Sequence, residues 1–182
     1  FSFSFITLFF LRKTAKYVGL VDKPNVRKLH NGAIPLVGGI AIYITFTFYI
    51  LLNPSYLVDA KIYLVSMFIL VFVGVLDDRF DISYKLRFLI QSILSVVMML
   101  LADIQLHTIG NVFGFGNIDF GILGYLITII AVIGAINAFN MVDGIDGLLG
   151  GLSIVTFGGL GLILSFDGQS SMAYLCLVLI VI

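Results

Sequence analysis

Charge is scarce in this chain of 182 residues: 11% of it is charged, whereas 60% is hydrophobic. Ten basic residues balance ten acidic ones, so no positive excess is available to neutralise the phosphates of a nucleic acid, and we expect no nucleic-acid partner. The mean hydropathy of +1.16 is typical of a protein whose main solvent is lipid. We therefore expect the lipid bilayer to be its principal partner.

Cysteine and glutamate are the other two shortages. Cys176 is the single cysteine, which excludes an intramolecular disulfide, and its apolar surroundings favour a packing role. All ten acidic residues are aspartates. The short aspartate side chain holds its charge close to the backbone, where it is easily fixed in place.

Long apolar runs dominate what remains. A membrane helix needs about 20 mostly apolar residues, and lipid-exposed backbone must satisfy its own hydrogen bonds. The sequence therefore predicts an all-α, polytopic transmembrane helical bundle forming one domain, residues 1–182. Because the chain begins without Met and stops within an apolar run, we expect a fragment cut at both ends. The predicted spans are residues 1–11 (cut), 34–52, 60–76, 86–102, 120–138, 148–166 and 172–182 (cut).

The basic residues predict the orientation of these spans. Residues 12–33, 77–85 and 139–147, together with Arg87, hold nine of the ten basic residues, and only Lys61 lies on the opposite side. The positive-inside rule assigns the basic side to the cytoplasm. On the outer side, the string GNVFGFGNIDFG lacks the strand and helix of a dinucleotide-binding motif, so we expect an external turn or hairpin.

Asp77 and Asp78 form the first candidate site, at the cytoplasmic end of the third span. Two carboxylates at a helix C-terminus are electrostatically disfavoured unless a cation compensates them, which could be Arg79, Lys85 or Arg87. Adjacent carboxylates also suit Mg²⁺, which binds one or two carboxylates together with substrate phosphates. An ordinary solvated loop with local ion pairs is the alternative interpretation.

The string NAFNMVDGIDGLLGG forms the second and more specific candidate. Polar side chains recur every third residue, and residues three apart are neighbours on a helix face. Gly144 and Gly147 follow two of them and would let the backbone approach an anion closely. The alternative is a junction in which Asx caps and glycines end one helix and start the next. The recurring polar residues are Asn137, Asn140, Asp143 and Asp146.

The third candidate is the basic loop before the second span, GLVDKPNVRKLHNGAIPLVGG. Pro24 and Pro35 stiffen it, so Lys28 and His30 could contribute to a clamp for a diphosphate. The positive-inside bias alone is an alternative explanation of its charge.

The last two strings quoted above, together with LDDRFDIS, which contains Asp77 and Asp78, resemble the polyprenyl-phosphate N-acetylhexosamine-1-phosphate transferase family, glycosyltransferase family 4, along essentially the whole chain. The resemblance implies transfer of a sugar 1-phosphate from a UDP-sugar to a membrane polyprenyl phosphate such as undecaprenyl phosphate, with release of UMP. It also implies dependence on Mg²⁺ or Mn²⁺ and an active site on cytoplasmic loops of the bacterial inner membrane. Two further family elements have no counterpart here, a metal-binding M-G-D-A-G-S-like loop and a histidine-rich loop.

Carried over residue by residue, the resemblance gives catalytic roles to Asp77, Asp78, Asp143 and Asp146. It makes the first two the metal ligands, and we expect substrate contacts from Lys28, His30, Arg87, Asn137, Asn140, Gly144 and Gly147. The strings PLVGG and NMVDGIDG favour N-acetylglucosamine as the sugar over the phospho-N-acetylmuramoyl-pentapeptide of the sister enzymes, which is kept as an alternative. A membrane transporter is the alternative from another class, and a homo-oligomer is left open.

Overall fold

The computed structural model describes residues 1–22, 33–142, 145 and 147–182, with the side chains of residues 57–59 excepted. Within these residues the chain is predominantly helical, and its sheet consists of two strands of two residues each. The predicted all-α, polytopic class is therefore confirmed. The described elements are α1 Ser2–Val18, β1 Val21–Asp22, β2 Ile34–Pro35, α2 Gly38–Leu52, α3 Leu57–Phe80, α4 Tyr84–Ala102, α5 Leu123–Val142, α6 Leu148–Phe166 and α7 Ser170–Val181.

Among the described residues, four segments are long and apolar enough to cross a membrane: Ala60–Phe80, Tyr84–Ala102, Leu123–Val142 and Leu148–Phe166. The predicted complete span at residues 34–52 is shorter than expected. Its helix α2 has 15 residues, about 22 Å at 1.5 Å per residue, whereas the hydrocarbon core is about 30 Å thick. The reason is that Ile34 and Pro35 pair with β1 instead of joining the helix.

Contacts divide the chain into two compact units, which are described separately: Phe1–Ile82 with Gly150–Ile182, and Ser83–Leu149. In the first unit, a buried cluster joins Phe46 and Ile50 of α2 to Ala60 of α3 and Leu175 of α7. Phe46 and Ile50 lie four residues apart, so both occupy one face of α2. This cluster holds α2, α3 and α7 together.

The second unit is an antiparallel pair formed by α4 and α5. Near the end of α4 the backbone N–H of Leu106 donates to Thr128 Oγ1 at 2.9 Å, close to the start of α5. Near the other end, Asn137 Nδ2 donates to Gln91 Oε1 at 3.0 Å. Gly124 is needed at its position because a Cβ there would meet the carbonyl oxygen of Leu106. These contacts fix the register of the two helices.

The glycine-rich segment between α4 and α5 is a turn, as predicted. Thr108 and Asp119 form an isolated antiparallel bridge, and the N–H of Gly116 donates to Asn111 Oδ1 at 2.9 Å. Gly114 and Gly116 have φ angles of 79° and 102°, in the left-handed region that favours glycine. The segment therefore closes on itself through its own backbone and side chains.

Candidate active site

Asp77 and Asp78 lie in the last turn of α3, and not in a loop after it as predicted. The helix continues to Phe80 and ends at Asp81, which has φ 51° and donates its backbone N–H to Asp77 O at 2.8 Å. Asp77 is half-buried and Asp78 is exposed. Consecutive helical residues point about 100° apart. The two carboxylates therefore occupy different faces of α3, which suits two different roles better than one shared role.

The Arg79 side chain connects this end of α3 to the end of α1 by direct contact. Gly19 terminates α1 with φ 72° and donates its N–H to Ala15 O, while the Arg79 guanidinium fills the space that a Cβ at Gly19 would need. A cation in the last turn of α3 also opposes the partial negative charge of the helix C-terminus. Arg79 thus serves as a compensating cation for this turn and as a packing contact.

The base of the predicted basic loop lies at the same place. Val21 pairs with Pro35 and Asp22 with Ile34 in an antiparallel ladder. Lys28 and His30 lie outside the described residues.

A buried cluster beneath this ladder connects the loop base to α3. Its buried members are Ala15, Leu20 and Val37, and Val75 of α3 packs against them. Val75 precedes Asp77 by two residues. The structure therefore brings the base of the basic loop beside the turn that carries the aspartate pair, as the sequence predicted.

In the second unit, the described candidate residues gather at one end of the α4–α5 pair. Asn137 is half-buried, and its Nδ2 donates to both Gln91 Oε1 at 3.0 Å and Ile133 O at 2.8 Å. Both N–H groups of that amide are thereby used, which leaves Oδ1 for a ligand. Arg87 lies one turn before Gln91 on α4, and the exposed Asn140 lies one turn beyond Asn137 on α5. Arg87 and Asn140 consequently share this end of the pair.

The junction between α5 and α6, residues 143–147, is the middle part of the second candidate string. Asp143, Gly144 and Asp146 lie outside the described residues. Gly147 is exposed, has φ 75°, and is followed by Leu148, whose N–H donates to Ile145 O at 3.1 Å. A helix junction by itself requires such a glycine. The role of Gly147 in the helix junction is enough to explain its conformation, and its predicted contact with substrate stays a prediction.

The donor atoms available to a metal are oxygens. Within the described ranges there is no cluster of three or more histidine, cysteine or acidic residues, and the described members of the predicted ligand set are Asp77 and Asp78. One or two carboxylates are the usual protein share of a Mg²⁺ site, where water and substrate phosphates complete the shell. An oxygen donor set also suits Mn²⁺ better than it suits softer metals. The residues present therefore fit Mg²⁺ or Mn²⁺.

Sequence reasoning left Gln91 and Gly19 without a role. Gln91 is 7% exposed and lies within the apolar helix α4. Its hydrogen bond to Asn137 could have been anticipated, since a buried amide in an apolar helix needs a partner. Gly19 offered a weaker signal, a glycine directly after a basic helix end.

Comparison with known proteins identifies a matching family and several similar proteins. Residues 60–182 match the family described as glycosyl transferase family 4. The chain is 54% identical over 182 residues to the undecaprenyl-phosphate alpha-N-acetylglucosaminyl 1-phosphate transferase of Escherichia coli (strain K12), covering 99% of this chain and 49% of that protein. The proteins of the same name from Yersinia pestis and Haemophilus influenzae are 49% identical over 180 residues and 48% over 178.

Those two alignments cover 99% and 98% of this chain and 49% and 50% of the relatives. The chain thus spans about half the length of the curated relatives it matches. The match extends across both compact units and every candidate string, and on this evidence the chain belongs to glycosyl transferase family 4.

Proposed function

We propose that this chain provides part of the active site of a membrane phosphoglycosyl transferase. The enzyme transfers N-acetylglucosamine 1-phosphate from UDP-N-acetylglucosamine to undecaprenyl phosphate, releases UMP, and initiates a lipid-linked cell-surface polysaccharide. The observation that carries the proposal is 54% identity over 99% of the chain to a relative named for this transfer. The apolar helices supply the membrane setting that a lipid acceptor requires.

The chemistry is an in-line displacement at phosphorus. An oxygen of the undecaprenyl phosphate attacks the β-phosphorus of UDP-N-acetylglucosamine, the phosphate attached to the sugar. The bond between that phosphorus and the bridging oxygen breaks, and the bridging oxygen leaves with UMP. The acceptor phosphate loses its second proton near pH 6 and needs little help from a general base. Positioning and charge neutralisation are therefore the main tasks of the protein.

The first unit is assigned to the acceptor and the metal. Asp77 and Asp78 hold the cation and position the attacking phosphate, which agrees with their separate faces on the last turn of α3. Lys28 and His30, from the loop whose base packs beside that turn, contribute positive charge and hydrogen bonds to the diphosphate. When bound, Mg²⁺ or Mn²⁺ neutralises charge on the phosphates.

The second unit is assigned to the nucleotide sugar. Arg87 and Asn140, at one end of the α4–α5 pair, offer a guanidinium and an amide to the donor. Asp143 and Asp146 act on the donor and its metal, while Gly144 and Gly147 permit close approach of the backbone. Asn137 contributes through Oδ1, since its amide nitrogen is already bonded to Gln91 and Ile133.

We place the enzyme in the bacterial inner membrane with this site on the cytoplasmic side. The support is the distribution of charge, with nine of ten basic residues on one predicted side. Cysteines introduced at Ser83 and Asn117, on predicted opposite sides, test it with a membrane-impermeant thiol reagent in intact cells. We expect the residue-117 cysteine to react and the residue-83 cysteine to be protected. The reverse pattern would contradict the orientation.

The transfer itself is tested by counting radiolabelled sugar in extractable lipid after incubating full-length protein with labelled UDP-sugars and undecaprenyl phosphate. We expect labelled lipid with UDP-N-acetylglucosamine and none with the UDP-N-acetylmuramoyl-pentapeptide. Absence of any labelled lipid would favour the transporter alternative. That alternative has little physical support, because each aspartate that the structure describes lies outside the interior of a helix.

Substitutions of Asp77 and Asp78, measured by the same assay, test the role of each carboxylate in the transfer. Asp77→Asn and Asp78→Asn should each lower turnover by about 100-fold or more, as expected for loss of a charge that acts on the reacting phosphates. Asp103→Asn is the matched control, since it removes the same charge at the C-terminal end of another helix, α4, where Asp103 has a positive φ of 52° that asparagine tolerates. Near-normal turnover of the Asp77 and Asp78 variants would reduce both residues to surface charges.

A further inference from the structure

A concave basic surface lies at the C-terminal end of α1, and its described lining includes neither Asp77 nor Asp78. We call it the α1 basic pocket. Its lining comprises Phe9, Arg12, Lys13, Lys16 and Tyr17 of α1, together with Ala33 and Pro35 at β2. The cavity measures about 790 Å³, and its described lining contains three cations and no carboxylate.

Helical spacing explains why these residues converge. Phe9, Lys13 and Tyr17 lie four residues apart and form one stripe along α1, while Arg12 and Lys16 form the neighbouring stripe. Lys13 Nζ lies 4.4 Å from the centre of the Phe9 ring, a cation–π contact that folds the lysine back onto the helix. The ammonium group is thereby held at the boundary between the aromatic and the basic part of α1.

The position of the pocket along α1 defines the kind of ligand that can reach it. The preceding turns of α1 carry exposed phenylalanines, among them Phe1 at 80%, Phe5 at 63% and Phe10 at 61%. A surface this apolar belongs in hydrocarbon, so the cations that follow it lie at the level of the lipid headgroups. A matching ligand has an anionic head at that level and an apolar tail beside the phenylalanines.

We infer that the α1 basic pocket binds the phosphodiester headgroup of an anionic phospholipid of the surrounding bilayer. The guanidinium of Arg12 suits bidentate contact with a phosphate, and the two ammonium groups add positive charge. Pockets of this kind at the membrane surface take anionic lipid headgroups. The inference does not depend on the proposed transfer reaction, because the pocket contains none of the residues assigned to it.

The experiment measures lipid binding without using activity. Full-length protein is reconstituted in phosphatidylcholine nanodiscs with spin-labelled phosphatidylglycerol, and the motionally restricted lipid is quantified by electron paramagnetic resonance. Each cation near an anionic headgroup is worth about fivefold in affinity. We therefore expect about fivefold weaker binding for Arg12→Gln or Lys16→Gln, and roughly 25-fold for the double variant. Lys61→Gln is the control: it removes the same charge near the start of α3, outside the described lining of the α1 basic pocket. It should leave binding unchanged.

Competition identifies the source of the phosphate. Unlabelled phosphatidylglycerol should displace the spin label, whereas inorganic phosphate and undecaprenyl phosphate should not displace it at equal concentration. Displacement by inorganic phosphate would make the pocket a site for soluble anions, and displacement by undecaprenyl phosphate would make it an acceptor site. Either result would overturn the inference, as would equal binding by the double variant and Lys61→Gln. Far-UV circular dichroism of each variant verifies that the helices are retained.

Discussion

Replacing Gly19 by alanine tests how firmly the end of α1 is attached to the turn that carries the aspartate pair. Gly19 has φ 72°, and the Arg79 guanidinium occupies the space that the new Cβ needs. A non-glycine residue in the left-handed region costs roughly 1–2 kcal/mol. Moving an exposed guanidinium away from its contact adds about 0–1 kcal/mol. We therefore expect Gly19→Ala to lower the free energy of unfolding by roughly 1–3 kcal/mol.

Gly159→Ala is the matched control for this substitution. Gly159 lies inside α6 without a positive φ, and a Cβ there meets nothing within 4 Å. Alanine in a helix interior is favoured over glycine by roughly 0.5–1 kcal/mol. The control should therefore be neutral or stabilising, and the two variants should differ in sign.

The measurement is chemical unfolding of full-length protein in detergent micelles, followed by far-UV circular dichroism. Adding Arg79→Ala to Gly19→Ala separates the two contributions. The double variant should recover the part of the cost that comes from the guanidinium and retain the part that comes from φ. If Gly19→Ala were as stable as Gly159→Ala, both the strain and the contact with Arg79 would be refuted.

Three further tests, two of helix contacts and one of a helix cap, use the same unfolding measurement. Thr128→Val removes the acceptor of the Leu106 N–H and should cost about 1 kcal/mol; an unchanged stability would contradict this. A double-mutant cycle of Gln91→Leu and Asn137→Leu should show a coupling of about 0.6 kcal/mol, whereas additive costs would mean that the bond contributes nothing. Asp81→Gly should be tolerated at its φ of 51°, while Asp81→Val should destabilise by roughly 1–2 kcal/mol; equal stabilities would argue against the left-handed cap.

The number and order of the helices could be predicted from the sequence because long apolar runs are a strong signal. The predicted span at residues 148–166 coincides with α6, Leu148–Phe166. The positions where helices end were harder to predict. α1 continues from the predicted residue 11 to Val18, and α3 continues from residue 76 to Phe80.

Both extensions contain charged residues, and both have one physical cause. Hydropathy detects where a segment leaves the hydrocarbon core, whereas backbone hydrogen bonding continues into water for as long as the local sequence permits. In each case the helix ends at a residue in the left-handed conformation, Gly19 or Asp81. A boundary drawn from hydropathy is therefore too early where a helix emerges among charged residues. That difference decides whether Asp77 and Asp78 belong to a loop or to a helix.

The sequence predicts the candidate site as a set of residues, and that set stays a prediction; their arrangement could not be predicted. Side chains of one unit come to the same end of that unit through contacts between residues that are distant in sequence. One such contact is the packing of Val75 against the buried cluster beneath the β1–β2 ladder. Hydrophobic patterns place each residue on its own helix and carry no information on which other helix it meets. The sequence suggested a diphosphate clamp from the basic loop, and the structure supplies the packed cluster that joins the base of that loop to α3.

Polar residues recur every third position in NAFNMVDGIDGLLGG, but in a helix this spacing does not keep them all on one face. Three residues turn a helix by about 300°, so each step of three falls about 60° short of a full turn. Asn137 faces α4 and bonds to Gln91, whereas Asn140 is already exposed. The described part of α5 ends at Val142, and the third and fourth members of the series, Asp143 and Asp146, lie outside the described residues. A spacing of three therefore does not give the four residues a single function. Asn137 makes a contact between α5 and α4 through its hydrogen bond to Gln91. That contact holds Asn140 and Arg87 at the end of the helix pair, where a ligand can reach them.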